Sequence, residues 1–172
     1  GSSNGVMLSQ NNVCSDIVAN SKVCDFHPGD RMLSVLPLHH TYECSLGFME
    51  VIYNGCCISY CEGLMHLMKN MQEVQPTVFV TVPLMMEKIH GRIMKSIGEK
   101  KGGRFALAMG KFLAGAGNAV GISANDKIFN EILRNFGGHL RLVIMGAAPC
   151  NAEGVDDFKT FGVKIYLGYG LT

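Results

Sequence analysis

Gly137-Gly138-His139-Leu140-Arg141-Leu142-Val143-Ile144-Met145-Gly146-Ala147-Ala148-Pro149, with the segment 150–172 that follows it, decides how this chain folds. Leu140 to Met145 is short, rich in branched aliphatic residues and bounded by glycine on both sides, which reads as a buried strand. Asn151 caps a short helix marked by Val155 and Phe158, and Gly162 stops it. Val163 to Leu167 is a second strand, and it runs abruptly into Gly168-Tyr169-Gly170. A strand, a helix and a strand in that order, with strands apolar throughout, imply parallel pairing in a sheet covered on both faces.

The same alternation runs back along the chain. Arg31 to Leu38 follows the turn-forming Pro28-Gly29-Asp30, Cys56 to Cys61 follows Asn54-Gly55, and Val78 to Val82 lies between Pro76 and Pro83. Each is a short apolar run bounded by Gly or Pro. Between them, Cys44 to Tyr53 is largely apolar, and Leu64, Leu67, Met68, Met71 and Val74 recur at helical spacing, as do Met86, Ile89, Ile93 and Ile97. Ile128, Ile132, Leu133 and Phe136 form another stripe behind a cap at Asn125. The expected fold is α/β, a mostly parallel sheet of about five strands with helices on both faces. Residues 5–172 read as one α/β unit carrying a Gly- and Lys-rich insertion around 98–123, and residues 1–4 as an expression scar or a loop remnant.

Composition narrows the function. A chain of 172 residues that is 48% hydrophobic can bury a sizeable core. A formal net charge of +1 with no basic run gives no footprint for nucleic acid. No segment offers 18 uninterrupted apolar residues, so no spanning helix is expected, and no secretory signal is read at the N-terminus. The seven cysteines are odd in number, lack a C-x-x-C pair and lie mostly in apolar stretches. That usage points to a reducing, cytoplasmic compartment.

In an open parallel sheet, ligands bind outside the carboxyl ends of the strands. The unusual residues collect there: Pro37 to Glu43, Thr81-Val82-Pro83, Gly146-Ala147-Ala148-Pro149 and Gly168-Tyr169-Gly170. Gly and Ala leave backbone N–H and C=O groups available to a planar or anionic ligand, and an exposed ring can stack on a base. Each segment also has a plainer reading: Gly-Ala-Ala-Pro as a tight turn, Tyr169 as a surface aromatic, His40 as a hydrogen-bonded structural group. His39 and His40 would face opposite ways on an extended segment. The spacing of His40, Glu43 and Cys44 matches no standard zinc pattern, so no metal site is assigned. Cys150 at a helix start could be a reactive thiol, but no neighbouring residue supplies a base, and a small turn residue is favoured. Neither a P-loop nor a G-x-G-x-x-G after a strand occurs.

These rim segments resemble the adenylate-forming superfamily, in particular its long-chain fatty-acid–CoA ligases. Leu36-Pro37-Leu38-His39-His40-Thr41-Tyr42-Glu43 is similar to that family's L-P-L-x-H-x-Y-E segment. Gly137 to Leu142, running on to Gly146-Ala147-Ala148-Pro149, is similar to its G-G-x-[LIV]-R…G-[GA]-A-P segment. Leu167-Gly168-Tyr169-Gly170-Leu171-Thr172 is similar to its Q-G-Y-G-L-T-E motif without the final Glu. Pro76 to Pro83 with Glu87-Lys88-Ile89 adds a fourth, less specific match. The resemblance runs from Gly5 onward, in the family's order and spacing.

The resemblance implies a two-step reaction in which a fatty acid and ATP form an acyl-adenylate and pyrophosphate, and the thiol of CoA then displaces AMP. It implies that Tyr169 stacks on adenine and that Gly146, Ala147 and Ala148 pass their backbone along adenine and the acyl pocket. Pro149 and Gly168 belong to the same nucleotide-binding set. Gly170 would line the acyl entrance. Thr172 would donate to the α-phosphate, and His40 would position or gate. Mg2+ accompanies ATP in this family, held in part by the Glu that would follow Thr172. Asn4 stands where the family's phosphate-loop Lys would be. The chain therefore reads as an internal fragment, inactive alone and prone to self-association, from an enzyme that is cytoplasmic or in peripheral contact with a membrane. Alternatives are a ligase for another carboxylate or for a carrier protein, and a non-catalytic binding domain.

Overall fold

Val78–Thr81 and Leu142–Met145 are buried along their whole length, as unbroken apolar runs require when both sheet faces are covered. In the computed structural model these are β3 and β4. Around them lie β1 (Arg31–Ser34), β2 (Cys57–Tyr60) and β5 (Lys164–Leu167). All pairings are parallel, in the order β2-β1-β3-β4-β5. The structure describes residues 5–99, 133–134, 136–146, 148, 152–160 and 162–170.

Alternation along each strand separates two cores. Leu33, Phe79, Val143 and Met145 face the helices α3 (Leu67–Val74), α4 (Pro83–Glu99) and α5 (Ala152–Thr160), through Leu67, Met71, Met86, Ile89, Val155 and Phe158. Met32, Val78, Val80, Leu142 and Ile144 face the other way, against Val51 of α2 (Glu50–Tyr53) and against Cys24 and Phe26. Each fully buried aliphatic or aromatic side chain contributes about 1.5–3 kcal/mol over leaving it exposed.

Three local readings differ from expectation. The first strand stops at Ser34 instead of Leu38, because Pro37 has no N–H for a ladder and its carbonyl accepts from His40 N at 2.9 Å, turning the chain. Cys44 to Tyr53 is helical, but Glu43–Met49 forms a π-helix that continues into α2. A further helix, α1 (Gln10–Ser21), escaped sequence reading because its only buried residue is Ile17. It starts in a reciprocal cap between Ser9 and Asn12. The cap at Asn125, the residues Ile128 and Ile132, most of the insertion around 98–123, Cys150 and Asn151 lie outside the described residues.

The amino ends of the strands are tied by charge. Asp30, before β1, accepts from Thr77 Oγ1 at 2.6 Å, His27 N at 2.7 Å and Arg141 Nε at 3.1 Å. Arg141 also donates to the Asp25 carbonyl at 2.6 Å, and Lys164 Nζ reaches Asp25 Oδ2 at 2.6 Å. The turn into β4 needs Gly137, whose φ is +85° and where a Cβ would collide with the Met71 carbonyl.

Candidate active site

Because all five strands are parallel, their carboxyl ends share one rim. From β1 the chain passes outward to β2, then returns across β1 to β3 and on to β4 and β5. The order therefore reverses between β1 and β3, the place where open parallel sheets leave a crevice for ligands.

His40 lies in an exposed turn after β1, two residues before Tyr42, whose hydroxyl reaches the ends of β3 and β4. His39 is exposed in the same turn, so the two do not alternate across an extended segment. Tyr42 N donates to His40 Nδ1 at 3.2 Å. A backbone N–H can donate only to an unprotonated ring nitrogen, so in this arrangement His40 carries its proton on Nε2.

Tyr42 turns inward from the same segment. Its hydroxyl donates toward the carbonyls of Ile144 at 3.1 Å and Thr81 at 3.3 Å. Its ring lies against Gly146, where a Cβ would stand 3.0 Å from two ring carbons. Burial, and then the neighbouring Glu43 and Cys24, push the Tyr42 phenol well above its ordinary value, so it stays a donor. Gly146 is therefore a glycine for packing beneath the rim, a reason the sequence did not display.

The remaining predicted residues separate by burial. Gly146 is buried; Ala148, Gly168, Tyr169 and Gly170 are exposed. Gly168 N donates to the Met145 carbonyl at 2.7 Å, which holds the end of β5 beside the end of β4. Tyr169 beyond it is 93% exposed, and a Cβ at Gly170 would meet nothing within 4 Å. Ala147, Pro149 and Thr172 lie outside the described residues.

The family model for AMP-binding enzymes matches residues 1–172. The chain belongs to the AMP-binding enzyme family. It is 31% identical over 179 residues to the peroxisomal long chain acyl-CoA synthetase 7 of Arabidopsis thaliana, covering 100% of this chain and 25% of that protein. It is 30% identical over 183 residues to the long-chain-fatty-acid–CoA ligase 1 of Cavia porcellus, covering 100% of this chain and 26% of that one. The chain thus spans about a quarter of the length of the curated relatives it matches. Among solved structures, apo MatB from Rhodopseudomonas palustris superposes with a TM-score of 0.67 at 19% identity, over 100% of this chain and 27% of that one. The N-terminal domain of FACL13 from Mycobacterium tuberculosis superposes at 0.60 with 14% identity, over 92% and 31%. The parallel α/β fold is that of these enzymes.

Sequence reading placed Glu43 in the rim segment but foresaw the burial of neither Glu43 nor Glu50. Glu43 and Glu50 are wholly buried behind the rim segment. Glu43 Oε1 accepts from Ser34 Oγ at the end of β1, and Glu50 Oε1 from Asn54 Nδ2 at 3.0 Å. The second oxygen of each has no hydrogen-bond partner among the described residues. Burial raises both carboxyls, against the hydrogen bonds from Ser34 and Asn54. The available signal was two acids seven positions apart in an otherwise apolar helical run. Among the described residues no group of three His, Cys, Asp or Glu side chains could hold a metal ion, and no helix is long and apolar enough to cross a membrane.

Proposed function

We propose that this chain is the adenine- and acyl-facing part of an ATP-dependent long-chain fatty-acid–CoA ligase. The observation that carries the proposal is the shared rim at the β1/β3 reversal, where His40, Gly146 and the exposed Gly168-Tyr169-Gly170 segment stand at the carboxyl ends of parallel strands. Relatives about 30% identical along the whole chain support the long-chain class.

The fatty carboxylate oxygen attacks the α-phosphorus of ATP and expels pyrophosphate. The CoA thiol then attacks the acyl carbon and expels AMP. The attacking carboxylate is already ionised at neutral pH, so the first step needs no base. What it needs is positioning and neutralisation of charge. Tyr169 supplies a face for adenine, and Gly146, Ala147, Ala148 and Pro149 a backbone edge beside it. Gly168 lets the chain pass close to the nucleotide, and Gly170 keeps the acyl entrance clear. Thr172 donates its hydroxyl to the α-phosphate. His40, with its proton on Nε2, donates a hydrogen bond toward the adenylate and guides it. Mg2+ arrives with ATP; the described residues offer it no ligand set, and no step is assigned to it. The enzyme works in the cytoplasm, in peripheral contact with the membranes in which its fatty acids dissolve.

The test is acyl-CoA formation by the full-length protein that contains this chain, with ATP, Mg2+, CoA and a chain-length series of fatty acids. Long-chain acyl-CoA, AMP and pyrophosphate are expected together. Absence of product with every fatty acid overturns the reading. Activity confined to aromatic or short acids, or to a carrier protein, replaces it with another adenylating ligase.

A further inference from the structure

Tyr42 ties the ends of β3 and β4 to the segment that follows β1. Its backbone N–H donates to His40 Nδ1 after β1. Its hydroxyl is shared between Thr81 O, the last residue of β3, and Ile144 O near the end of β4. Its ring closes on Gly146, and a Cβ at Gly168, after β5, would stand 4.0 Å from it. Gly146 N also donates to the Thr81 carbonyl, at 3.3 Å, so tyrosine and glycine hold the final rung of the β3–β4 ladder together. The next residue, Glu43, is anchored to β1 through Ser34.

We propose that Tyr42 is the positioning residue of the nucleotide rim, setting the gap between His40 and the Gly146 edge without itself reacting; this rests on the ligase reading above. Two features of the geometry lead there. The hydroxyl bonds are made to backbone carbonyls, so the residue fixes the main chain and not another side chain. The ring also stands 3.0 Å from where a Cβ at position 146 would lie, so any side chain there would press the ring and the rim apart.

The experiment is ATP–pyrophosphate exchange and overall acyl-CoA formation by the full-length protein, with melting curves measured in parallel. Tyr42→Phe keeps the ring and removes the two hydroxyl bonds. It is expected to raise KM for ATP and lower kcat in exchange by roughly three- to tenfold each, the scale of one or two lost hydrogen bonds. Gly146→Ala is expected to lose more. A Tyr42→Phe protein with a lower melting temperature but unchanged KM and kcat is behaving as a core residue only, and overturns the proposal. A wild-type protein without exchange overturns the ligase reading and this inference with it. Exchange in the wild type with both constants unchanged in Tyr42→Phe overturns the positioning role alone.

Discussion

Arg141 forks onto Asp30, its Nε 3.1 Å from Oδ1 and its Nη2 closing on Oδ2, so the residue before β4 is bound to the residue before β1 across the intervening β3. Asp30 is nearly buried and Arg141 less so. Removing one partner of such a pair strands the other. Asp30→Ala is expected to lower stability by about 2–3 kcal/mol, below the range for fully buried pairs because Arg141 keeps some water. Urea denaturation of the protein carrying this chain measures it. Burial alone would raise the Asp30 carboxyl, but Arg141, Thr77 and the His27 N–H carry it below its ordinary value. Its contribution is therefore present above the unfolded carboxyl value of about 3.9 and is lost as pH falls through the lower folded value.

Glu43 has the opposite sign. Its folded value is raised, so its stabilising contribution is complete below the unfolded value of about 4.3 and is lost as pH rises through the folded one. Glu43→Gln keeps an acceptor for Ser34 and removes the charge. Its melting temperature is expected to exceed wild type at neutral pH, with the difference shrinking on acidification. A wild-type advantage that grows from pH 5 to pH 8 would show that the carboxylate is needed in its charged form.

Gly47 lies inside the π-helix, where a Cβ would come within 2.5 Å of the Glu43 carboxyl carbon. Both residues are buried, so the carboxyl cannot swing into water. Gly47→Ala is expected to cost about 1–3 kcal/mol, the usual range for overpacking. The same change beside Glu43→Ala should cost far less. Additive losses in a double-mutant cycle would contradict the contact.

Tyr169 is nearly fully exposed, so Tyr169→Ala should leave the melting temperature unchanged. Stacking of a base on an aromatic ring is worth about 1–3 kcal/mol. KM for ATP in the exchange assay is therefore expected to rise by roughly tenfold, while Tyr169→Phe retains most of the affinity. Equal KM values for wild type and Tyr169→Ala would remove the ring from the nucleotide site.

Met65 is almost fully exposed, and Leu64 and Leu167 largely so, at or just after the two sheet-edge strands β2 and β5. Uncovered edges and apolar side chains favour pairing with another surface. The isolated 172-residue polypeptide is expected to self-associate as its concentration rises. Light scattering that reports a clean monomer at high concentration would count against this.

Much of this architecture was legible in the chain. Val78 to Val82 and Leu140 to Met145 could only be buried strands, since unbroken branched runs between Gly and Pro fit little else. Parallel strands then put His40, Gly146 and Gly168-Tyr169-Gly170 at one end of the sheet. Helix α1 was illegible because it buries a single residue and has no stripe to read. The π-helix was illegible because the fit of a carboxyl against Gly47 does not appear in hydrophobic periodicity.

Local patterning thus determined which segments became strands, which end of the sheet collects the polar chemistry, and which family the chain resembles. It could do so because strand and helix periods and Gly/Pro punctuation act over a few neighbouring residues. The tertiary structure alone decided that Tyr42 rests on Gly146, that Glu43 is buried against Ser34, and that Arg141 holds Asp30. Tyr42 and Gly146 are 104 positions apart and Arg141 and Asp30 are 111 apart. Ser34 and Glu43 are only nine apart, but they meet through a turn and a π-helix. Such contacts exist only once the crossovers have set β1, β3 and β4 side by side, and no local pattern encodes which side chain will then fill the space of a missing Cβ.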